Sequence, residues 1–206
     1  MRLSKQLVPA IVLIFAAAAL FYFFFFAANG PKTTPTPEYH AHVDFAVFIR
    51  GERFDFSQKQ FMHQETCGKP GEEHKEIDLS TAEGMRDAMH LHDVNGNVLH
   101  SHHENATLSM FFKGLGFDLT ASCIQTTRGS YCNTQTETLK VFVNEVEEKN
   151  FVNYKPRDLD GVLITFGSES PALVRAQYET MAGQACIYSE KCPKPEGFAM
   201  TPESCV

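Results

Sequence analysis

Six of the nine histidines fall in three His-x-His elements: His40-Ala41-His42, His90-Leu91-His92 and His100-Ser101-His102. On an extended strand, residues i and i+2 face the same side about 6–7 Å apart, so both imidazoles of such a pair reach one ion. Neutral imidazole is a ligand for Zn²⁺, Cu²⁺, Ni²⁺ or Fe²⁺. Three or four imidazoles around one ion suit zinc in a tetrahedral site at about 2.0–2.1 Å, with copper the alternative. The competing reading is a solvated polar face, or histidines satisfied by carboxylates such as Asp44, Asp93 and Glu104. Three elements between positions 40 and 102 of an acidic chain favour metal. His103 follows His102 directly, so on a strand only one of the two joins this face. His63 and His74 lie in a polar, irregular stretch and are expected at the surface.

The turn between the second and third elements must align them. Asp93-Val94-Asn95-Gly96 has Asp first and Gly fourth, as a type I turn prefers. In a three-residue hairpin loop Gly96 takes the left-handed position and forms a bulge. His90 then faces His100, and Leu91 faces Leu99. His90, His92, His100 and His102 share one face, joined by His40 and His42 from a neighbouring strand, while the leucines point to the core. A two-residue Asn95-Gly96 turn shifts the register by one and separates the two histidine pairs. The leucines segregate correctly only in the first register.

The elements around this hairpin follow from hydrophobic period and turn chemistry. Val43–Ile49 is apolar and β-prone, Arg50-Gly51-Glu52 turns, and Arg53–Phe56 alternates as a second strand. Ser80-Thr81-Ala82-Glu83 matches a capping box and starts a helix to about Ala88. Thr107 caps a second helix whose stripe is Leu108, Phe111, Phe112 and Leu115, and Gly116 ends it. Thr107 also closes the Asn105-Ala106-Thr107 sequon, for which capping is the sufficient explanation. Leu139–Asn144 and Asp160–Gly167 are strands, and Pro171–Ala182 is a terminal helix. The fold class is therefore α+β, a mixed sheet with one packed helix and a Cys-rich C-terminal tail.

This order, hairpin, hairpin extension, helix, strand, then an Asp160-Gly161 turn into an apolar strand, resembles the β-grasp (ubiquitin-like) topology over residues 43–167, with an insertion at 59–88. Small sulfur carriers of that topology end in Gly-Gly. This chain continues past Gly167, so their chemistry is not implied. The whole sequence resembles membrane-anchored prokaryotic proteins that share an exported domain with His-x-His hairpins, a resemblance that implies location and carries no activity. His40-Ala41-His42-Val43-Asp44 is similar to the start of the metallo-β-lactamase motif, but Phe45 stands where that motif has His. Carbonic-anhydrase-like zinc also uses a strand His-x-His. The exported body is too short for either fold.

Leu7 to Ala28 carries no charge, and Arg2 and Lys5 precede it. A helix of that length reaches about 33 Å, enough for a bilayer core. The flanking basic residues favour a cytoplasmic amino end and an exported body. The rival is a cleaved signal peptide, but Phe26 stands where cleavage after Ala28 wants a small residue. The expected organisation is an anchor at 1–30, a stiff Pro/Thr spacer at 31–38, a His-rich domain at 39–170, and a helix with a cysteine tail at 171–206. Of 18 basic and 25 acidic residues, only Arg2 and Lys5 precede residue 31, which leaves a body of 16 basic and 25 acidic residues, net −9. That charge repels phosphate backbones and argues against nucleic acid as a partner. At 206 residues the chain is short for a TIM barrel, which typically takes about 250.

All six cysteines, Cys67, Cys123, Cys132, Cys186, Cys192 and Cys205, follow the apolar run. An even number in an exported chain predicts disulfides. Cys123 and Cys132 bracket a polar loop and form the expected local pair; the remaining pairing stays open. No C-x-x-C occurs, which argues against a thioredoxin-type site. No G-x-S-x-G, Walker loop or dinucleotide fingerprint is present. Three functions fit: a tethered extracytoplasmic domain binding zinc or copper, a zinc hydrolase or lyase with three histidines, an open fourth position and Glu104 or Asp93 as base, and a disulfide-stapled structural domain without metal. The first ranks highest, because no substrate pocket is written in the sequence. A protein partner is not legible.

Overall fold

The computed structural model describes residues 20–23, 39–63 and 77–198. The chain forms two compact units, residues 1–37 and 38–206. In the first, residues 20–23 are helical and expose Leu20, Phe21, Tyr22 and Phe23. The rest of the 7–28 span and the spacer lie outside the described residues. Among the described residues no helix is long and apolar enough to cross a membrane.

The second unit is α+β. Its strands are β1 (Ala41–Ile49), β2 (Glu52–Arg53), β3 (Met89–His90), β4 (Val98–Ser101), β5 (Asp118–Leu119), β6 (Cys123–Thr126), β7 (Gly129–Cys132), β8 (Thr138–Val143), β9 (Val146–Glu147) and β10 (Gly161–Gly167). Among the described residues of this unit four α-helices accompany them: α1 (Ala82–Ala88), α2 (Leu108–Gly114), α3 (Pro171–Glu179) and α4 (Ala185–Tyr188). The main sheet runs β3-β4-β1-β10-β8-β9, with β2 appended to β1; β5-β6-β7 form a second sheet. β1 and β10 pair in parallel at the centre, and every other pairing in the main sheet is antiparallel. The sheet is thus mixed, as the sequence predicts.

Alternation along β1 decides what each face meets. Val43, Phe45 and Val47 enter the main core with Leu91, Leu99, Val141, Val162 and Ile164. Phe45, Phe54, Phe56, Phe61, Phe111, Phe112 and Phe117 form a connected ring cluster there. Burying one such side chain is worth about 1.5–3 kcal/mol. On the opposite face Ala46 and Phe48 pack with Leu163 and Val174 of α3. Two helices, not one, line the core side: α1 buries Gly84 and Ala88, and α2 buries Leu108, Phe111 and Phe112. They approach closely because Gly114 has no side chain; a Cβ there would stand 3.2 Å from Arg86 Cγ.

Local chemistry explains the boundaries. Arg50 and Gly51 both take left-handed φ, 52° and 81°, which closes the β1–β2 turn. The alternating Arg53–Phe56 segment keeps its period, since Phe54 and Phe56 are both buried, but strand pairing stops at Arg53. The cap of α1 is Thr81, one residue beyond Ser80, the residue the capping box selects; Thr81 Oγ1 accepts Gly84 N–H at 3.0 Å. Ser80 is held instead by the Asp78 carboxylate. Thr107 Oγ1 accepts Met110 N–H at 3.4 Å at the start of α2, and Gly116 leaves it at φ 78°. Cys123 and Cys132 stand directly opposite each other on β6 and β7 and are disulfide-bonded; Cys186 and Cys192 form a second bridge. Cys67 and Cys205 lie outside the described residues.

Candidate metal centre

The hairpin register is the one the leucines select. His90 pairs with His100 across β3 and β4, and β1 adds His42 opposite His100. His90, His100 and His42 therefore form one row across three strands. His102 and His40 belong to the next row, and all face away from Leu91, Leu99 and Val43. Ring contacts join them: His40 lies 4.6 Å from His42 and 4.5 Å from His102, while His42 lies 4.8 Å from His100. His90 stacks on His102 at 4.9 Å, and His92 lies 3.7 Å from His100. His42, His90, His92, His100 and His102 are buried; His40 is exposed.

Within this cluster the ligand atoms of His40, His42 and His100 all lie within 4.8 Å of one another. Three nitrogens on a tetrahedral zinc stand about 3.3 Å apart at the usual bond lengths. Small side-chain rotations close that difference. His40 gives the trio a solvent-facing entry, and His42 and His100 give it a buried floor. His90, His92 and His102 contact the trio through their rings and do not belong to that convergent set.

Burial holds the His90 imidazole well below the usual histidine range, and His102, His100, His63 and His92 add to the effect. Its Nδ1 is 3.2 Å from the Arg86 carbonyl, which takes the ring proton there and leaves Nε2 as the lone-pair atom. His90 is thus held as neutral imidazole, the state that binds metal.

The turn that aligns the hairpin is not the expected one. Asp93 and Val94 take φ 58° and 57°, and Asn95 N–H bonds the His92 carbonyl at 3.0 Å, a type I′ geometry centred on Asp93-Val94. Gly96 is not left-handed. It is glycine because a Cβ there would stand 2.5 Å from the Phe56 carbonyl carbon and the Ser57 nitrogen. The local sequence shows a turn glycine; the long-range packing that requires it is invisible there.

The C-terminal segment covers the cluster. Tyr188 is buried, with its ring 4.9 Å from His100, 5.6 Å from His42 and 6.0 Å from His92. Ser189 Oγ lies 2.8 Å from His42 Nδ1 and donates to Asp158 Oδ1. Asp158 also accepts His42 N–H at 3.0 Å and pairs with Lys191. Partial burial acts to raise the Asp158 carboxyl, but the His42 N–H, Lys191 and Ser189 together hold it below the usual range. Asp44 Oδ1 accepts the N–H groups of Gln184 and Ala185, and Asn95 donates to Gln184 and Tyr188. Burial pushes the Asp44 carboxyl up, against those two N–H bonds. The Cys186–Cys192 bridge brackets Tyr188 and Ser189.

His63 departs from its expected surface position. A backbone bond to the Leu91 carbonyl at 2.8 Å docks it beside β3, its ring lies 5.4 Å from His90, and its Nε2 is 2.9 Å from Asp87 Oδ1. His103 points away and accepts Asn105 N–H. His74 lies outside the described residues. Glu104 is exposed and lines a hollow of about 390 Å³ with Tyr39, Tyr154 and Arg157. Asp93 Oδ2 lies 3.1 Å from His92 Nδ1, on the flank of the cluster. Tyr188, Ser189 and Asp158 are the site residues that sequence reasoning missed, since nothing local ties positions 158 or 188 to a histidine hairpin. Comparison with protein-family models, curated proteins and solved structures finds no match to this chain.

Proposed function

We propose that this protein is a membrane-tethered, extracytoplasmic domain that binds a divalent metal ion, zinc or alternatively copper, and buffers or delivers it. The convergence of His40, His42 and His100 within 4.8 Å, ringed by further imidazoles, carries the reading. An exposed His40 beside two buried partners suits an ion that enters and leaves. Both described bridges fit an oxidising compartment. The exposed apolar side chains of the 20–23 helix fit a lipid environment. The β-grasp reading is supported by the order β4-β1-β10-β8, with the first and last strands parallel at its centre.

The test is metal analysis of the full chain, purified in detergent without a histidine tag. After exposure to Zn²⁺ and dialysis it should retain one equivalent, and His42→Ala with His100→Ala should retain none. Wild-type protein that emerges without stoichiometric zinc or copper would leave the disulfide-stapled structural domain as the better account.

A further inference from the structure

The two buried histidines of the trio are each backed by a carboxylate through one intervening residue. His100 Nδ1 lies 3.0 Å from His92 Nε2, and His92 Nδ1 lies 3.1 Å from Asp93 Oδ2. His42 Nδ1 lies 2.8 Å from Ser189 Oγ, which donates to Asp158 Oδ1. A carboxylate only accepts, so each chain has one consistent direction. The Asp93 carboxylate, in ion-pair contact with His92 Nδ1 but outside hydrogen-bond geometry, favours the ring proton on that nitrogen, so His92 Nε2 accepts from His100 Nδ1–H. Ser189 gives its proton to Asp158 and accepts from His42 Nδ1–H. Both buried ligands then present Nε2 as the lone-pair atom, and in both the far nitrogen is fixed by an outer-shell partner, the arrangement that orients a ligating histidine and raises its basicity.

The same chains address charge. Three neutral imidazoles offset none of the charge of a dication in a mostly buried site. Asp93 places one negative charge a single residue behind His100, and Asp158, itself paired with Lys191, stands a single residue behind His42. The Asp93 side chain is 11% exposed and that of Asp158 is 24% exposed, so neither is fully screened by water. Resting on the metal-binding reading, we propose that Asp93–His92 and Asp158–Ser189 are positioning relays that make this a site for divalent rather than monovalent cations. His92 then acts through His100 and is not itself a ligand.

Asparagine isolates charge: it keeps the size of the side chain, and at position 158 its carbonyl oxygen still accepts from Ser189. The experiment measures Zn²⁺ and Ag⁺ affinity of the full chain in detergent by chelator competition, for wild type, Asp93→Asn, Asp158→Asn, Ser189→Ala and Ser189→Thr. Each Asn variant should weaken Zn²⁺ about 10–100-fold and Ag⁺ about threefold or less. Ser189→Ala should weaken both ions about tenfold, and Ser189→Thr, which keeps the hydroxyl, should restore them. Asp158 also holds the His42 backbone, so Asp93→Asn, which leaves that contact alone, is the variant that decides if Asp158→Asn unfolds. Wild-type binding with unchanged Zn²⁺ affinity in Asp93→Asn would overturn the relays while sparing the metal site. A parallel fall of Zn²⁺ and Ag⁺ in the Asn variants would overturn the charge selection. Absence of Zn²⁺ binding by wild type would remove the metal site itself.

Discussion

Val43, Phe45 and Val47 leave one face of β1; His42 and Asp44 leave the other. Both sets are largely removed from water, yet they are stabilised on different terms. The phenylalanine face depends on volume and close packing, and its contacts have no direction. The histidine face depends on hydrogen bonds and on which ring nitrogen carries a proton. Burial of an apolar ring is favourable by itself, whereas each buried polar atom is costly until paired. One strand therefore carries a face held by close packing and, at His42 and Asp44 on the other, a stretch held by directional hydrogen bonds.

Substitutions should separate these roles. Phe111→Ala opens a cavity at the centre of the ring cluster and should destabilise the domain by about 3–5 kcal/mol, read by denaturant unfolding. His42→Leu with His100→Leu should remove stoichiometric metal but change stability of the metal-free protein by only about 1–3 kcal/mol, the cost of leaving His92 Nε2 and Ser189 Oγ each short of one partner. A loss as large as that of Phe111→Ala would show that the histidines are a second structural core.

As pH falls, acid should act first on the histidine face, before the carboxylates titrate. His90 in the fold has a depressed affinity for protons, while in the unfolded chain it titrates near its ordinary value of about 6.5. The unfolded state therefore takes up the proton first. The contribution of His90 is complete above about pH 6.5 and is lost as pH falls below it. Unfolding midpoints of the metal-free protein should drop across that interval, and His90→Leu should flatten the drop. The smallest effect should come from His103→Ala, which points out of the cluster. It should leave metal stoichiometry unchanged and stability within about 0.5 kcal/mol.

The residues of the two faces were not equally legible. Leu91 and Leu99 sufficed to select the register, because a one-residue slip exchanges the faces completely. The helix over 108–114 was readable from its cap and apolar stripe for the same reason: the signals are local. His63 was not, because its place beside His90 depends on a backbone bond to Leu91, far along the chain. Gly96 was read as a turn residue when the Phe56 backbone is what excludes a side chain there. Tyr188 and Ser189 were hidden for a third reason. A four-residue helix in a cysteine tail carries no period, and only its docking through Asp44 and Asn95 gives it a role.

The parallel pairing of β1 with β10 also sets an order of events. Asp44 pairs with Gly161 and Ile49 with Phe166, so the central ladder joins segments far apart in the domain's sequence. Such non-local closure is slow, because the loop entropy is lost before the contacts form. The Cys123–Cys132 hairpin and α2 are local and can form early. In a chain made amino end first, His40 and His42 precede their cover at 184–189 by most of the domain. The histidines thus spend most of assembly without the cover that Tyr188 and Ser189 give them in the finished fold.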